Sequence, residues 1–524
     1  VAWGDALAAD ALSCALAAPL AMTFAAGETV SLRELRLDGA VGGVASLTLG
    51  SGGDGAWKLA VTESERVSGV SVSKCDASGG IAIHGDAPSV NGGGNANWVF
   101  GEDLFVWTGG ASGDFGTDAN WSGGQAPGAG DRVVIDTAAA VTLGAATEIA
   151  QLTLGGGAGA ASLAATAALT VSGTVDVRTN GTLSLNAPST VGNALFVRNG
   201  GVLTHKANAS TEAYKIDLAV GGNATVEAGG RIDVKARGYA GGYGPGCSKS
   251  NAGSSHGGRA SNGNAPDSVK PCYGSIIAPT ALGSGATTGY AGGGAVKLFV
   301  SGDLRIDGAV DADAQGGRDW YSGSGGSVYV STRRLLGSGV LRADGGYVTS
   351  GHPGGGGRIA LYQTAATDLS AFTGRIQAYG GYIYTGSTTT YIPRSSSGTV
   401  FIRNAGDTGG TVYLANGNGA TDASPFRPLA SEFPVTVNGD DPAIFRDIAF
   451  HVSASGALVL TGGAKIADLY LGDGAQVRLN DHTLAIRSPT HRNGKGWSES
   501  VLIDTGAGGL GRFVWPGGFC LILR

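Results

Sequence analysis

Behind a run of small residues, mostly glycine, an alternation of apolar and polar positions recurs four times in the middle of the chain. AGGGAVKLFV (291–300), GSGGSVYVST (323–332), PGGGGRIALY (353–362) and SSSGTVFIRN (395–404) share this arrangement. Their leading apolar positions, Val296, Val328, Ile359 and Val400, fall 32, 31 and 41 residues apart. Period-two alternation puts every second side chain on one face of a strand. Repetition at near-constant spacing marks a coil architecture in which each turn buries its apolar face against the next. A second alternating segment closes three of these turns: GDLRIDGAVDADAQGG (302–317), GSGVLRADGG (337–346) and FTGRIQAYGG (372–381), with an upstream relative in GGRIDVKARGYAGG (229–242). Each turn is predicted as strand, tight turn, strand and Gly-rich loop, with glycine supplying positive φ at the corners. The fold class expected is all-β: a parallel β-helix or related β-solenoid with Gly-rich loops stacked along one edge. Only residues 5–22 hint at a helical apolar period.

Composition sharpens this picture. Glycine makes up 95 of 524 residues without a collagen period, and the Val/Leu/Ile/Thr runs between glycines favour an ordered, turn-rich β chain over disorder. The net charge of −6, with no Lys/Arg run, argues against a nucleic-acid partner, which needs a basic stripe. Residues 6–26 lack a positive n-region and contain Asp10 and Pro19, so neither a cleavable signal nor a membrane span is expected. The chain reads as an internal piece of a longer secreted protein. None of the five cysteines forms a CxxC pair or a zinc spacing. Cys247 and Cys272 lie within one insertion, and two readings are open there. A disulfide would close a loop of about 25 residues, contribute roughly 3 kcal/mol and fit an extracellular setting. Otherwise they are two unrelated small residues.

Two phrases, FVWTGG (105–110) and FVWPGG (513–518), lie 408 residues apart and suggest that one module type opens twice. Four regions follow: 1–106, the C-terminal part of a preceding β-solenoid or sandwich-like unit; 107–228, a thin-coil opening; 229–404, a thick-coil Gly-rich stretch with an insertion at 239–290; and 405–524, closing coils and the start of the next unit. Trp107 and Trp121 are expected to cover the open end of the coil stack.

The opening WTGG…GDF…ANWSGG…PGAGDRVVI resembles that of autotransporter-type β-helix passengers. The phrase GYAGGYGPG…SSHGGRASN…GGGAVKLFV…GGSVYV…GGGGRIALY is similar to Gly-rich repeats of giant bacterial surface proteins, and VSVSKCDASGGIAIHGDAPSVNGGGNANWVF (70–100) resembles a recurrent unit end in such arrays. Cys75 departs from that pattern, standing where Asn or Asp is expected. The resemblance implies an extracellular or cell-surface structural role, often adhesive.

Candidate chemistry gathers in the loops after the second strands, where nine of fifteen tyrosines sit in four loops. If coils stack, Arg318, Trp320, Tyr321, Tyr347, His352, Tyr382 and Tyr384 form a row. Flat rings beside polar groups suit sugar rings; the competing reading is that they pin mobile glycine loops. The insertion adds His256 and Arg259, either as a functional loop or as a shield over a sheet edge. Asp311, Asp313, Asp319 and Asp344 lie on adjacent coils near Arg318, His352 and Arg358, a spacing open to glycosidase chemistry. Asp311 and Asp313, however, read as an alternating solvated face. No GxSxG, HExxH or P-loop occurs, and no catalytic residue or cofactor is assigned, with structural calcium left open. Two functions are carried forward. One is a structural or adhesive segment of a large secreted, surface-displayed or filament-forming protein, associating end to end or with other surface proteins. The alternative is a polysaccharide-binding or polysaccharide-cleaving β-helix using the aromatic row.

Overall fold

A computed structural model describes residues 2–517 and 520–521, apart from 87, 101–103, 249–251, 262–268, 288, 318–319, 385–391 and 417–429. The chain is 43% strand and 3% helix, which makes it all-β, and its sheets are predominantly parallel. Two compact units are present. The first comprises Val1–Gly109, Thr117–Val134 and Glu148–Leu152; the second comprises Gly110–Gly116, Ile135–Thr147 and Thr153–Arg524.

In the first unit, Ala2–Trp3, Leu20–Phe24, Leu47–Ser51, Val70–Val72 and Val90–Asn91 form one parallel sheet. Leu7–Ala15, Thr29–Asp38, Trp57–Ser68, Ile83–Asp86 and Trp98–Phe100 form the path of a second. Alternating inward residues such as Leu32, Leu47, Leu49, Trp57, Leu59 and Val61 make its core. Residues 5–22, where a helical period was expected, are strands Leu7–Ala15 and Leu20–Phe24 broken before Leu20 by Pro19. Parallel pairing of Leu7–Ala15 with Thr29–Asp38 and of Leu20–Phe24 with Leu47–Ser51 overrides the weak period.

In the second unit the chain visits three sheets in turn. One runs Ile216–Val220, Ala295–Val300, Ser327–Thr332, Arg358–Gln363 and Thr399–Arg403. Its register aligns Ile216, Val296, Val328, Ile359 and Val400 in one column and Leu218, Leu298, Val330, Leu361 and Ile402 in another. Val296, Val328 and Ile359 are at most 1% exposed. The other two sheets receive Ala224–Val226, Leu304–Ile306 and Leu335–Leu336, and Arg231–Asp233, Ala309–Asp311, Val340–Arg342 and Arg375–Gln377.

A thick turn thus carries three short strands, where the alternation suggested two. Residues 302–317 divide into Leu304–Ile306 and Ala309–Asp311 at Gly308, where a Cβ would collide with the Gly230 carbonyl of the turn before. The stacking also reverses within the largest sheet. Thr411–Ala415 pairs antiparallel with Thr399–Arg403, Val400 opposite Tyr413, before parallel pairing resumes with Ala449–Ser453.

The glycine runs differ from their expected role as corners. Gly292–Gly294, Gly325, Gly326 and Gly354–Gly357 all have negative φ and are buried. They lie outside any strand yet bond to several neighbours at once: Gly238 N–H to Gly292 O at 2.8 Å, Gly283 N–H to Gly293 O at 2.8 Å, Gly293 N–H to Ser324 O at 3.0 Å and Gly325 N–H to Gly355 O at 3.0 Å. A Cβ on Gly293, Gly325, Gly326, Gly355 or Gly357 would come closer than 3.0 Å to a backbone carbonyl of an adjoining segment. Glycine is required here for close approach of main chains, with the amides paired as burial demands.

The insertion at 239–290 threads this layer. Ser254, Ser255 and His256 are fully buried; Gly355 N–H donates to Ser254 O at 2.9 Å, and Gly257 N–H to Gly356 O at 2.9 Å. The bridge expected between Cys247 and Cys272 is corrected: Cys272 is a free thiol. Cys247 Sγ faces the Ser248 carbonyl at 3.8 Å, whereas the Cys272 N–H donates to Glu432 Oε2 at 2.7 Å, so the two side chains occupy separate buried settings. Main-chain bonds to the glycine layer hold the insertion in place of a covalent tie. Burial pushes the Cys272 thiol up to about 12.

Candidate functional site

The loops that follow Ala309–Asp311, Val340–Arg342 and Arg375–Gln377 lie in register because their backbones bond directly. His352 N–H donates to Trp320 O at 2.7 Å, Gly317 N–H to Tyr347 O at 3.0 Å, and Tyr384 N–H to Val348 O at 2.7 Å. Tyr321 bridges His352 in parallel, and Val348 bridges Ile383. Six of the seven residues expected in the row are thereby brought into neighbouring loops, and Arg318 lies outside the described residues, as does Asp319.

Two ring stacks result. Tyr321 and His352 are 6.0 Å apart and 17° from parallel; Tyr347 and Tyr382 are 5.6 Å apart at 24°, with Tyr384 6.0 Å from Tyr347. Tyr290 and Tyr347 lie over Gly317 and Gly316, occupying space that a Cβ would fill. The rings therefore pack down on glycine backbone, while Trp320, 60% exposed, and Tyr384, 36% exposed, keep surface toward solvent.

The carboxylates expected on a solvated face are mostly withdrawn from water. Asp311 and Asp313 are buried, at 5% and 8% exposure. Arg342 pairs with Asp311 and lies 3.1 Å from Asp313 Oδ2. Asp313 Oδ1 accepts the Asp344 N–H at 2.7 Å; Asp344 accepts from Tyr379 N–H at 2.6 Å and Gln377 Nε2 at 2.5 Å. Desolvation, with the neighbouring carboxylates, holds Asp313 well above the ordinary range, and burial pushes Asp344 up to about 6. The oxygens of the column are engaged by protein donors.

Arg358 and His256 are structural in the same sense. Arg358 is wholly buried, donating to Tyr273 O at 2.9 Å and Thr399 Oγ1 at 3.0 Å. The His256 Nδ1–H donates to Gly325 O at 2.7 Å, and burial pushes its imidazole down to about 3. Arg259 pairs with Glu432 at 3.1 Å. Among the described residues, no group of three or more His, Cys, Asp or Glu side chains is arranged to hold a metal, and no helix is long and apolar enough to cross a membrane.

Reading by motif missed a second polar cluster, in the first unit. Arg132 donates to Asp86 Oδ1 at 2.5 Å and to Glu65 Oε1 at 2.9 Å. His84 Nδ1 lies 3.0 Å from the same Glu65 oxygen, and Gln151 Nε2 is 2.8 Å from His84 Nε2. With the amide donating to Nε2, Nδ1 carries the hydrogen and donates to Glu65. All four ionisable side chains are at most 8% exposed. The sequence signal was faint: His84, Asp86 and Arg132 sit in the outward phase of their strands, and only the fold shows that face to be covered. Comparison of the chain with protein-family models, with curated proteins and with solved structures returns no match, so its functional reading rests on this geometry.

Proposed function

We propose that the second unit is a parallel β-helix and that the chain serves as a structural or adhesive, non-catalytic segment of a large secreted, surface-displayed or filament-forming protein. The in-register column Val296–Val328–Ile359–Val400 carries this reading, since only turns stacked one on another align equivalent positions at such sequence separations. The engagement of the acidic column by protein donors favours architecture over catalysis. Self-association end to end, or with other surface proteins, is part of this reading, since an exposed strand edge is a template for pairing with another chain. Electron microscopy of the purified protein tests it: filaments that lengthen with concentration are expected, and particles that stay single throughout overturn self-assembly.

A second reading, polysaccharide binding along the aromatic row, is favoured by the exposure of Trp320 beside the Tyr321–His352 stack. A glycan array with Trp320→Ala and Tyr347→Ala decides it. Binding abolished in both variants supports the row as a site, and unchanged binding removes it.

A further inference from the structure

We infer that Tyr347 and Tyr382 form a preorganised modification site, at which a one-electron oxidant of the haem-peroxidase and hydrogen-peroxide class couples the two rings into a dityrosine. The two rings occupy equivalent places on consecutive turns. Val348, next to Tyr347, bridges Ile383, next to Tyr382, in parallel. Val348 N–H donates to Tyr382 O at 3.0 Å and Tyr384 N–H to Val348 O at 2.7 Å, so the main chain fixes the register on both sides. The rings then stack 5.6 Å apart and 24° from parallel. Tyr347 is also seated from below: a Cβ on Gly316 would lie closer than 3.0 Å to its Cδ1, so the ring rests on bare backbone. Both residues are partly exposed, which gives a small oxidant access to them. The new bond would staple the turn that holds Val340–Arg342 to the turn that holds Arg375–Gln377, whether or not the row also binds sugar.

Phenol coupling needs no catalytic group from the protein, only two rings in contact. Each tyrosine gives up its phenolic hydrogen as a proton and an electron, and the two protons and two electrons cleave one peroxide to two waters. The unpaired electron of a phenoxyl radical is shared with the ring carbons ortho to oxygen. One such carbon from each ring forms the new C–C bond, and the hydrogens on those carbons then move to the two oxygens, restoring both phenols. Between free tyrosines the slow event is the meeting of two short-lived radicals. Rings already held together turn that meeting into an intramolecular step. Other tyrosine contacts suit the reaction less. Tyr329 and Tyr362 are 5.7 Å apart but 61° from parallel, which sets the rim of one ring against the face of the other. The Tyr362 hydroxyl is also engaged, donating to Ile277 O at 2.8 Å. Tyr384 lies 6.0 Å from Tyr347 and is tilted by 58°.

The test treats dilute protein with a haem peroxidase and hydrogen peroxide, isolates the monomer by size exclusion, and reads dityrosine by fluorescence and by mass spectrometry of digested peptides. The monomer should gain dityrosine fluorescence. It should also yield a linked peptide pair carrying Tyr347 and Tyr382, lighter than the sum of the two peptides by two hydrogens. Tyr347→Phe and Tyr382→Phe should each lose most of the fluorescence, whereas Tyr243→Phe, at an exposed position, retains it. Each variant keeps its ring, and circular dichroism matching the parent's separates a lost link from lost folding. The inference is overturned if the parent monomer gains no dityrosine, if its link joins other tyrosines, if coupling occurs only between molecules, or if Tyr347→Phe couples as the parent does.

Discussion

Gly357→Ala should destabilise the second unit sharply, although it adds one methyl group to a buried site. The new Cβ would lie closer than 3.0 Å to the Gly326 carbonyl oxygen, to Gly325 C and to Gly326 N. All three are backbone atoms, so no rotamer change relieves the clash. Gly357 is itself tied on both sides: its N–H donates to Ala343 O at 2.7 Å, and its carbonyl accepts from Thr399 N–H at 3.2 Å. Overpacking of this kind costs about 1–3 kcal/mol, and more where the backbone has no room to shift. Alanine also restricts the unfolded chain, which offsets about 0.4–1 kcal/mol of that cost. Gly462 is the control: nothing lies within 4 Å of its Cβ position, and its φ is not positive. Gly462→Ala should therefore be neutral, or stabilising by about 0.4–1 kcal/mol. Urea unfolding followed by circular dichroism gives the midpoints, and hydrogen exchange at Gly325–Ser327 localises the effect. Equal midpoints for the two variants would refute the reasoning, because the glycine layer would then owe nothing to close approach.

Three further outcomes follow from buried groups. Asp344 in the fold titrates above its unfolded value, so its contribution is fully present below about pH 4 and lost as pH rises through about 6; Asp313→Asn, which removes one of three carboxylates near Arg342, should flatten that loss in urea midpoints taken between about pH 4 and 8. A pH profile that Asp313→Asn leaves untouched would assign the loss to other groups. Cys75 and Cys272 are buried thiols pushed up to about 12, so a thiol reagent near neutral pH should label neither until urea is added; rapid labelling of the native protein would contradict their burial. Arg132→Met leaves Glu65 and Asp86 buried without their shared cation and should cost about 3–5 kcal/mol of first-unit stability, measured by calorimetry; a loss under about 1 kcal/mol would mean that solvent reaches the pair.

The columns of the second unit are legible in the sequence because strand alternation and turn length act locally, and Val296, Val328 and Ile359 declare both at once. The row of rings is legible by the same logic, since loops between aligned strands must themselves align. What is not legible depends on which second surface covers a strand. Asp311 and Asp313 alternate as an outward face would, yet both are buried against Arg342 and the main chain of the next turn. The run at 354–357 reads equally well as a flexible corner or as a main chain pressed between others, because a missing side chain permits both. Cys247 and Cys272 share an insertion, and nothing in their spacing tells that its fixings are main-chain amides. The Arg132 cluster joins residues 65, 84, 86, 132 and 151, which only the parallel register brings together.

The reversal at Thr411–Ala415 has a consequence for how the largest sheet is born. In the preceding thick turns a strand of this sheet meets its partner only after thirty or more intervening residues, as Val328 meets Ile359, whereas Ile402 and Thr411 are joined by a short hairpin. Closing the shorter loop is easier by about 1 kcal/mol on the logarithmic dependence of closure entropy on length. We expect the hairpin to nucleate first and to act as the template on which strands zip outward in both directions. Pulse-labelling exchange during refolding should find the amides of Val400–Ile402 protected before those of Val296–Leu298.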